Sequence, residues 1–243
     1  MTVLRVATYN IHKGVRGVGP RRRLEIHNLG QARAQLDADI ICLQEVRKVH
    51  HGEARFFTHW PELPQADFLA PEGYQAVYRT NAYTRKGEHG NALLSRWPVL
   101  GHQHEDMSDH RFEQRGLLHS ELLVQGHTVH TVVVHLGLIR AGRMRQLAQL
   151  RRYILREVPP DVPLLVAGDF NDNGGMVGRE LASIALCCHV GRTPTFPSRM
   201  PLVQLDHVFA RGLEPVGAQV PRGQAWWRMS DHLPLIAEFR LPD

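Results

Sequence analysis

Short apolar runs recur along this chain, and several of them end in an amide, a carboxylate or an imidazole. Residues 4–11 alternate in strand fashion and close on Asn10, whereas 40–43 are continuously apolar, as in a strand buried on both faces, and deliver Glu45. Residues 128–136 bring His135 to a strand end, and 163–168 are followed by Asp169 and Asn171. Further strands are expected over 74–79, 90–96, 99–104, 115–124, 205–210, 214–220 and 235–241, with Gln125-Gly126 folding two of them into a hairpin.

Helices are expected over 22–36, 140–158 and 176–186. In the second of these, Met144, Leu147, Leu150, Ile154 and Val158 make one apolar stripe, and Pro159-Pro160 ends it. Residues 50–72 mix His, Pro and aromatics, so only a short helix or an irregular loop is expected there. Strands outnumber helices, hairpins fall mid-chain and helices fall on connections, which points to an α/β (α+β) fold with two packed mixed sheets flanked by helices. No repeat or linker divides the chain, so residues 1–243 read as one domain.

At 243 residues and 43% apolar composition the chain can bury a full core, which excludes a disordered or fibrous protein. Among 29 basic residues only Lys13, Lys48 and Lys86 are lysine, and the net charge of +5 favours an anionic partner without identifying one. An arginine-rich coding bias spread over a solvated surface explains the charge equally well. Cys42, Cys187 and Cys188 imply no disulfide framework, which suits a reducing compartment. The sequence shows neither a signal-peptide pattern nor the roughly 18 uninterrupted apolar residues of a membrane span, so a cytoplasmic location is expected. The 16 histidines invite a zinc reading, but neither a His-Glu-x-x-His pair nor paired Cys-x-x-Cys motifs support one.

A lone Asp after a strand is ordinarily a turn former or a helix cap, and that explanation suffices for Asp169 or Asp206 taken singly. Their joint occurrence at successive strand ends changes the balance. In order, the chain carries Ala7-Thr8-Tyr9-Asn10, Leu43-Gln44-Glu45-Val46, the segment Gly90-Asn91-Ala92-Leu93-Leu94-Ser95-Arg96, Arg115-Gly116 and His135-Leu136. It continues with Gly168-Asp169-Phe170-Asn171, Leu205-Asp206-His207 and Ser230-Asp231-His232-Leu233-Pro234. With these motifs the whole chain resembles the endonuclease/exonuclease/phosphatase (DNase I-like) superfamily, and the resemblance implies a four-layer α/β sandwich.

The resemblance also implies roles. Glu45 would be the principal Mg²⁺ ligand, with Mn²⁺ as a substitute, and Asn10 and Asp231 would help to hold the metal or its waters. Asp169 would orient or deprotonate the attacking water, and Asn171 would hydrogen-bond the phosphate. His232, oriented by Asp206, would act as general base or bind a phosphoryl oxygen, with His135 as acid for the leaving oxygen. Arg115 would clamp the scissile phosphate and Asn91 would line the substrate groove. Ser-Asp-His occurs a second time at residues 108–110, but only the 230–232 copy is followed by Leu-Pro-Leu and a final strand. Chemistry is therefore assigned to the later copy, and Asp109 and His110 to a solvated loop.

What the resemblance implies is metal-assisted, in-line hydrolysis of a phosphodiester in a nucleic acid or a phospholipid headgroup. A phosphomonoesterase is the alternative, and an inactive phosphate-ester-binding protein is the third reading. His135 and Leu205-Asp206-His207 depart from the abasic-site endonuclease branch, which carries Tyr at the position of His135 and after the motif Asp. Asp206-His207 likewise departs from the Asp-Arg of inositol phosphatases. Arg140 and Arg143, with Arg145, would track phosphates or simply begin a solvated helix. Trp226 would stack on a base, dip into a lipid interface or fill the core. No feature of the sequence specifies an oligomeric state.

Overall fold

The computed structural model describes residues 3–188 and 193–241. In chain order its elements begin β1 (Val3–Asn10), β2 (Val15–Arg16), β3 (Arg23–Leu24), α1 (Ile26–Ala32), β4 (Ile40–Val46), α2 (His51–Phe56) and α3 (Gln65–Leu69). The middle holds β5 (Gln75–Thr84), β6 (Gly87–Ser95), β7 (Val99–Asp106), β8 (Gly116–Val124), β9 (His127–His135), α4 (Arg140–Glu157) and β10 (Leu164–Asp169). The chain closes with α5 (Met176–Ala182), β11 (Cys187–Cys188), β12 (Asp206–Arg211), β13 (Glu214–Gln219), α6 (Gln224–Met229) and β14 (Leu235–Arg240).

These strands form two six-stranded sheets, ordered β13-β14-β1-β4-β6-β5 and β11-β12-β10-β9-β8-β7, beside a small β2-β3 ribbon. Each large sheet is mixed: β1 runs parallel to β4, and β9 to β10, while their other pairings are antiparallel. Leu4, Val6, Ile40, Cys42 and Leu93 of the first sheet pack against Leu118, Leu122, Val133, Leu165 and Val208 of the second. The opposite face of the first sheet, with Ala7, Tyr9 and Ile41, is covered by α1, α3 and α6. Val132, Val134 and Val166 of the second sheet are covered by α4 and α5. Helix, sheet, sheet, helix is the four-layer sandwich that the resemblance implied, and each fully buried Leu, Ile or Val in it contributes about 1.5–3 kcal/mol.

Side-chain alternation explains where polar groups emerge. In β1, Leu4, Val6 and Asn10 share the parity that faces the other sheet; in β9, Val129, Val133 and His135 do so. Leu165, Ala167 and Asp169 share it in β10, and Asp206, Val208 and Ala210 in β12. The same period that buries the apolar residues therefore sends four polar ones to one end of the seam between the sheets. Glu45 has the wrong parity for this, since Leu43 faces the outer helices. A register shift between Leu43 and Val46, with Glu45 at φ 57°, re-aims it.

The expected helix over 22–36 divides into β3, α1 and a 3₁₀ turn over Arg33–Leu36, and the helix expected over 176–186 ends at Ala182. Residues 50–72 contain two short helices, α2 and α3. Helix α6, with Trp226 inside it, lies in a stretch for which no helix was expected. Buried Trp226 packs edge-on to Tyr9 at 6.0 Å, so it fills the core and is closed to base stacking or lipid.

Gly168, at φ 155°, lies opposite Val134 in the pairing of β10 with β9. A Cβ there would lie within van der Waals overlap of the Val134 carbonyl oxygen, at 1.9 Å. Gly168→Ala is expected to destabilise the fold by about 2–4 kcal/mol, because backbone must move on both strands. Denaturant unfolding checks this, and a loss within measurement error would show that the strands can part at this point.

Candidate active site

Asp169 Oδ2 is the point on which the polar strand ends converge. Asn10 Nδ2 donates to it at 3.0 Å, His135 Nε2 lies at 3.5 Å and His232 Nε2 at 3.6 Å. Its other oxygen accepts from the Asn171 backbone N–H at 3.0 Å, so both carboxylate oxygens are held. Asp169, His135 and His232 are all buried, and burial raises the Asp169 carboxyl above the ordinary aspartate value despite the nearby imidazoles.

His232 comes from the loop between α6 and β14. Asp206 Oδ2 accepts from its Nδ1 at 2.8 Å and from Thr195 Oγ1 at 2.6 Å. Burial opposes a charged imidazole, but Asp206, aided by Asp169 and Asp231, outweighs it and raises His232 to about 10. The loop is pinned from three directions: Ser230 Oγ donates to Asn10 O at 2.6 Å, Ser198 Oγ to Ser230 O at 2.7 Å, and Leu233 N–H to Thr195 O at 2.8 Å. Phe196 packs its ring 5.1 Å from that of His232.

His135 behaves in the opposite way. Burial first, and the Arg115 guanidinium second, lower it to about 4, so it rests as a neutral imidazole near neutral pH. That direction counts against the resting acid role expected for it. His135 is followed by a segment held by Leu136 N–H on Asp169 O and by Asn171 Nδ2 on Leu136 O, both at 2.9 Å.

On the first sheet, Glu45 Oε2 is buried without a well-directed hydrogen bond, and Lys13 Nζ stands 2.9 Å away as its counter-ion. Burial would raise the Glu45 carboxyl, but Lys13, with His135 and His12, outweighs it and holds the group well below the usual carboxylate range. Asp231 Oδ1 lies 3.2 Å from His12 Nδ1, and despite partial burial that imidazole holds it down at about 2. Two ionised carboxylates with an under-coordinated oxygen suit a hard divalent cation such as Mg²⁺ or Mn²⁺. Asn10 fits that role less directly, since its Oδ1 accepts from the His12 backbone N–H at 3.0 Å while its amide faces Asp169.

Asp169, Asp206 and His232 also offer ligand atoms within 4.8 Å of one another. In that trio Asp206 Oδ2 already accepts from Thr195 and His232, while its Oδ1 is buried without a hydrogen bond.

The remaining expected residues divide. Arg115 is largely buried beside Glu113, 3.8 Å away; its Nη1 donates to Gln114 O at 3.0 Å and its buried Nε has no hydrogen-bond partner. Asn91 is fully buried in β6, and its Nδ2 donates to Gly116 O at 2.9 Å and Val133 O at 3.1 Å. It joins one sheet to the other and has no exposed surface with which to line a groove. Arg143 is buried as well, donating to Gly137 O and Leu138 O, so it braces the turn after His135 rather than tracking phosphates. Arg140 is exposed at the first residue of α4. Asp109 forms an ion pair with Arg145, which gives both a surface role.

His12, Lys13 and Thr195 are site residues that the sequence reading passed over. His12 and Lys13 directly follow Asn10, and that adjacency was the available signal. Thr195 lies in an irregular segment and carried none.

Two mixed sheets that present Asn, Glu, Asp and paired His groups at one end of their seam define the DNase I-like class of sandwich. The chain belongs to the Endonuclease/Exonuclease/phosphatase family, whose profile matches residues 7–232. It is 35% identical over 246 residues to the uncharacterized protein YbhP of Escherichia coli K12, covering 98% of this chain and 96% of that one. Among solved structures it resembles an endonuclease/exonuclease/phosphatase family protein from Leptotrichia buccalis, with a TM-score of 0.76 at 14% identity, covering 98% of this chain and 100% of that one. It also resembles the Bacteroides thetaiotaomicron mannosyl-6-phosphatase Bt3783, with a TM-score of 0.69 at 17% identity over 97% and 99% of the two chains. At those identities the structural likenesses show the fold alone. Among the described residues no helix is long and apolar enough to cross a membrane.

Proposed function

We propose that the protein is a divalent-metal-dependent phosphoesterase that hydrolyses phosphodiesters by in-line attack of water. The observation that carries this reading is the convergence of Asn10, His135 and His232 on Asp169 Oδ2 beside Glu45. A carboxylate made more basic by burial is suited to accept the proton of an attacking water, and Asn10 and the Asn171 N–H hold it in place. His232, kept cationic by Asp206, faces developing negative charge on the phosphoryl group, and Arg115 adds a second positive group. A divalent cation held by Glu45 and Asp231 would supply Lewis-acid neutralisation of that same charge. His135 takes part as a neutral hydrogen-bonding imidazole.

The diester reading draws on a groove of about 750 Å³ whose lining includes Lys48, Arg79, Thr80 and Arg111 together with Glu88 and Asp106. Thr80 pairs with Gly90, which pairs with Val46 next to Glu45, so the groove opens alongside the cluster. A polar channel beside the reacting phosphate, in which Lys48, Arg79 and Arg111 outnumber Glu88 and Asp106, leaves room for a substituent that carries further phosphates, as in a nucleic acid or a phospholipid headgroup. With Mn²⁺, bis-nitrophenyl phosphate is expected to be cleaved at least tenfold faster than the monoester, with plasmid DNA, RNA and phospholipid vesicles run in parallel. Release of inorganic phosphate from the monoester as the faster reaction would overturn the diester assignment.

A further inference from the structure

Both carboxylates that suit a divalent cation already have a partner in this chain: the His12 imidazole lies 3.2 Å from Asp231 and the Lys13 ammonium 2.9 Å from Glu45. We propose that Lys13 is a movable phosphate-binding residue, which rests on Glu45 and passes to a phosphoryl oxygen of the substrate when a divalent cation takes Glu45. The proposal builds on the metallophosphoesterase reading and adds a residue to it.

The backbone of Lys13 is held by its neighbours, while its side chain is partly exposed. Its φ is 62°, its carbonyl accepts from Gln65 Nε2 at 2.8 Å, and the space beside Gly14 is filled by Gln65 and Ile26. The ammonium, by contrast, is at the end of a four-carbon stem whose side chain is 31% exposed. Glu45 Oε2 cannot serve Lys13 at 2.9 Å and a metal ion at bonding distance from the same side. A double charge wins that competition. The displaced ammonium then sits beside the metal, where a bound phosphate presents its oxygens.

The choice of residue agrees with this. In a chain with 29 basic residues of which only Lys13, Lys48 and Lys86 are lysine, this position holds a compact charge on a flexible stem. A guanidinium would be a rigid fork, suited to stay on a carboxylate.

The test is calorimetric and needs no turnover. Mn²⁺ is titrated into wild type, Lys13→Met, Lys13→Gln and the charge control Lys86→Met, and inorganic phosphate is then titrated into each Mn²⁺-loaded protein. Both Lys13 variants are expected to bind Mn²⁺ about tenfold more tightly, and phosphate about tenfold more weakly, with Lys86→Met matching wild type. Unchanged or weaker Mn²⁺ binding overturns the exchange, as does tighter Mn²⁺ binding with unchanged phosphate affinity. Failure of wild type to bind Mn²⁺ at all would instead sink the metal reading of Glu45, so the two failures are told apart.

Discussion

Replacing His232 by alanine is expected to lower kcat/KM on a phosphodiester by about 10³-fold, the scale found when one preorganised charge-stabilising group is removed. The effect is large because the site builds a cation in a buried place and has no second imidazolium to substitute. His232 is charged through Asp206, whereas His135 is neutral through burial and Arg115. The sign of the pH dependence follows. The imidazolium is fully formed below the ordinary histidine value and is lost as pH rises through about 10, taking with it both the ion pair's stabilisation and the rate. A pH–rate profile of wild type should therefore fall on its alkaline side near 10, and the residual rate of His232→Ala should lack that limb. Near-wild-type turnover in the variant, or an identical alkaline limb, would remove His232 from the chemistry.

Glu45→Gln is the second large effect. The change keeps shape and removes one charge, so Lys13 loses its counter-ion and the metal loses its principal oxygen. Turnover is expected to fall by about 10²- to 10³-fold, and the rise in Tm that Mn²⁺ produces in wild type should vanish. The thermal measurement is the sharper of the two, since it reads metal binding without chemistry. A Mn²⁺-dependent rise that survives in the variant would mean that the cation is held elsewhere.

Much of this site was legible in the sequence because period-two alternation transmits side-chain direction along a strand. Knowing that Leu4 and Val6 are buried between the sheets places Asn10 in the seam, and the same inference runs from Leu165 and Ala167 to Asp169. Glu45 defeats this rule through its bulge: the apolar run over 40–43 brings it to a strand end, but alternation alone would turn it toward the outer helices. What alternation cannot convey is how a polar residue spends its hydrogen bonds. Asn91 and Arg143 have the right chemistry and the right neighbourhood, yet their donors are committed to backbone carbonyls. Trp226 was ambiguous for a related reason, since a large indole beside a site satisfies the core and a ligand equally well on paper. Helix α6 escaped notice because six residues are too few to show a 3.6-residue period.

The order in which the chain visits the two sheets has one more consequence. Glu45 and Asn10 come from strands near the beginning, His135 and Asp169 from the other sheet, and the 230–232 segment returns to the first sheet just before β14 pairs with β1. A nascent polypeptide can therefore pair β5 with β6 and β7 with β8 and β9 while still lacking His232, Asp231 and the Ser230 hydroxyl that ties them to Asn10. The cluster is completed only when the last strand docks. Docking of β14 thus works as a safety catch: a chain interrupted before it, however well its other strands have paired, carries an unarmed centre.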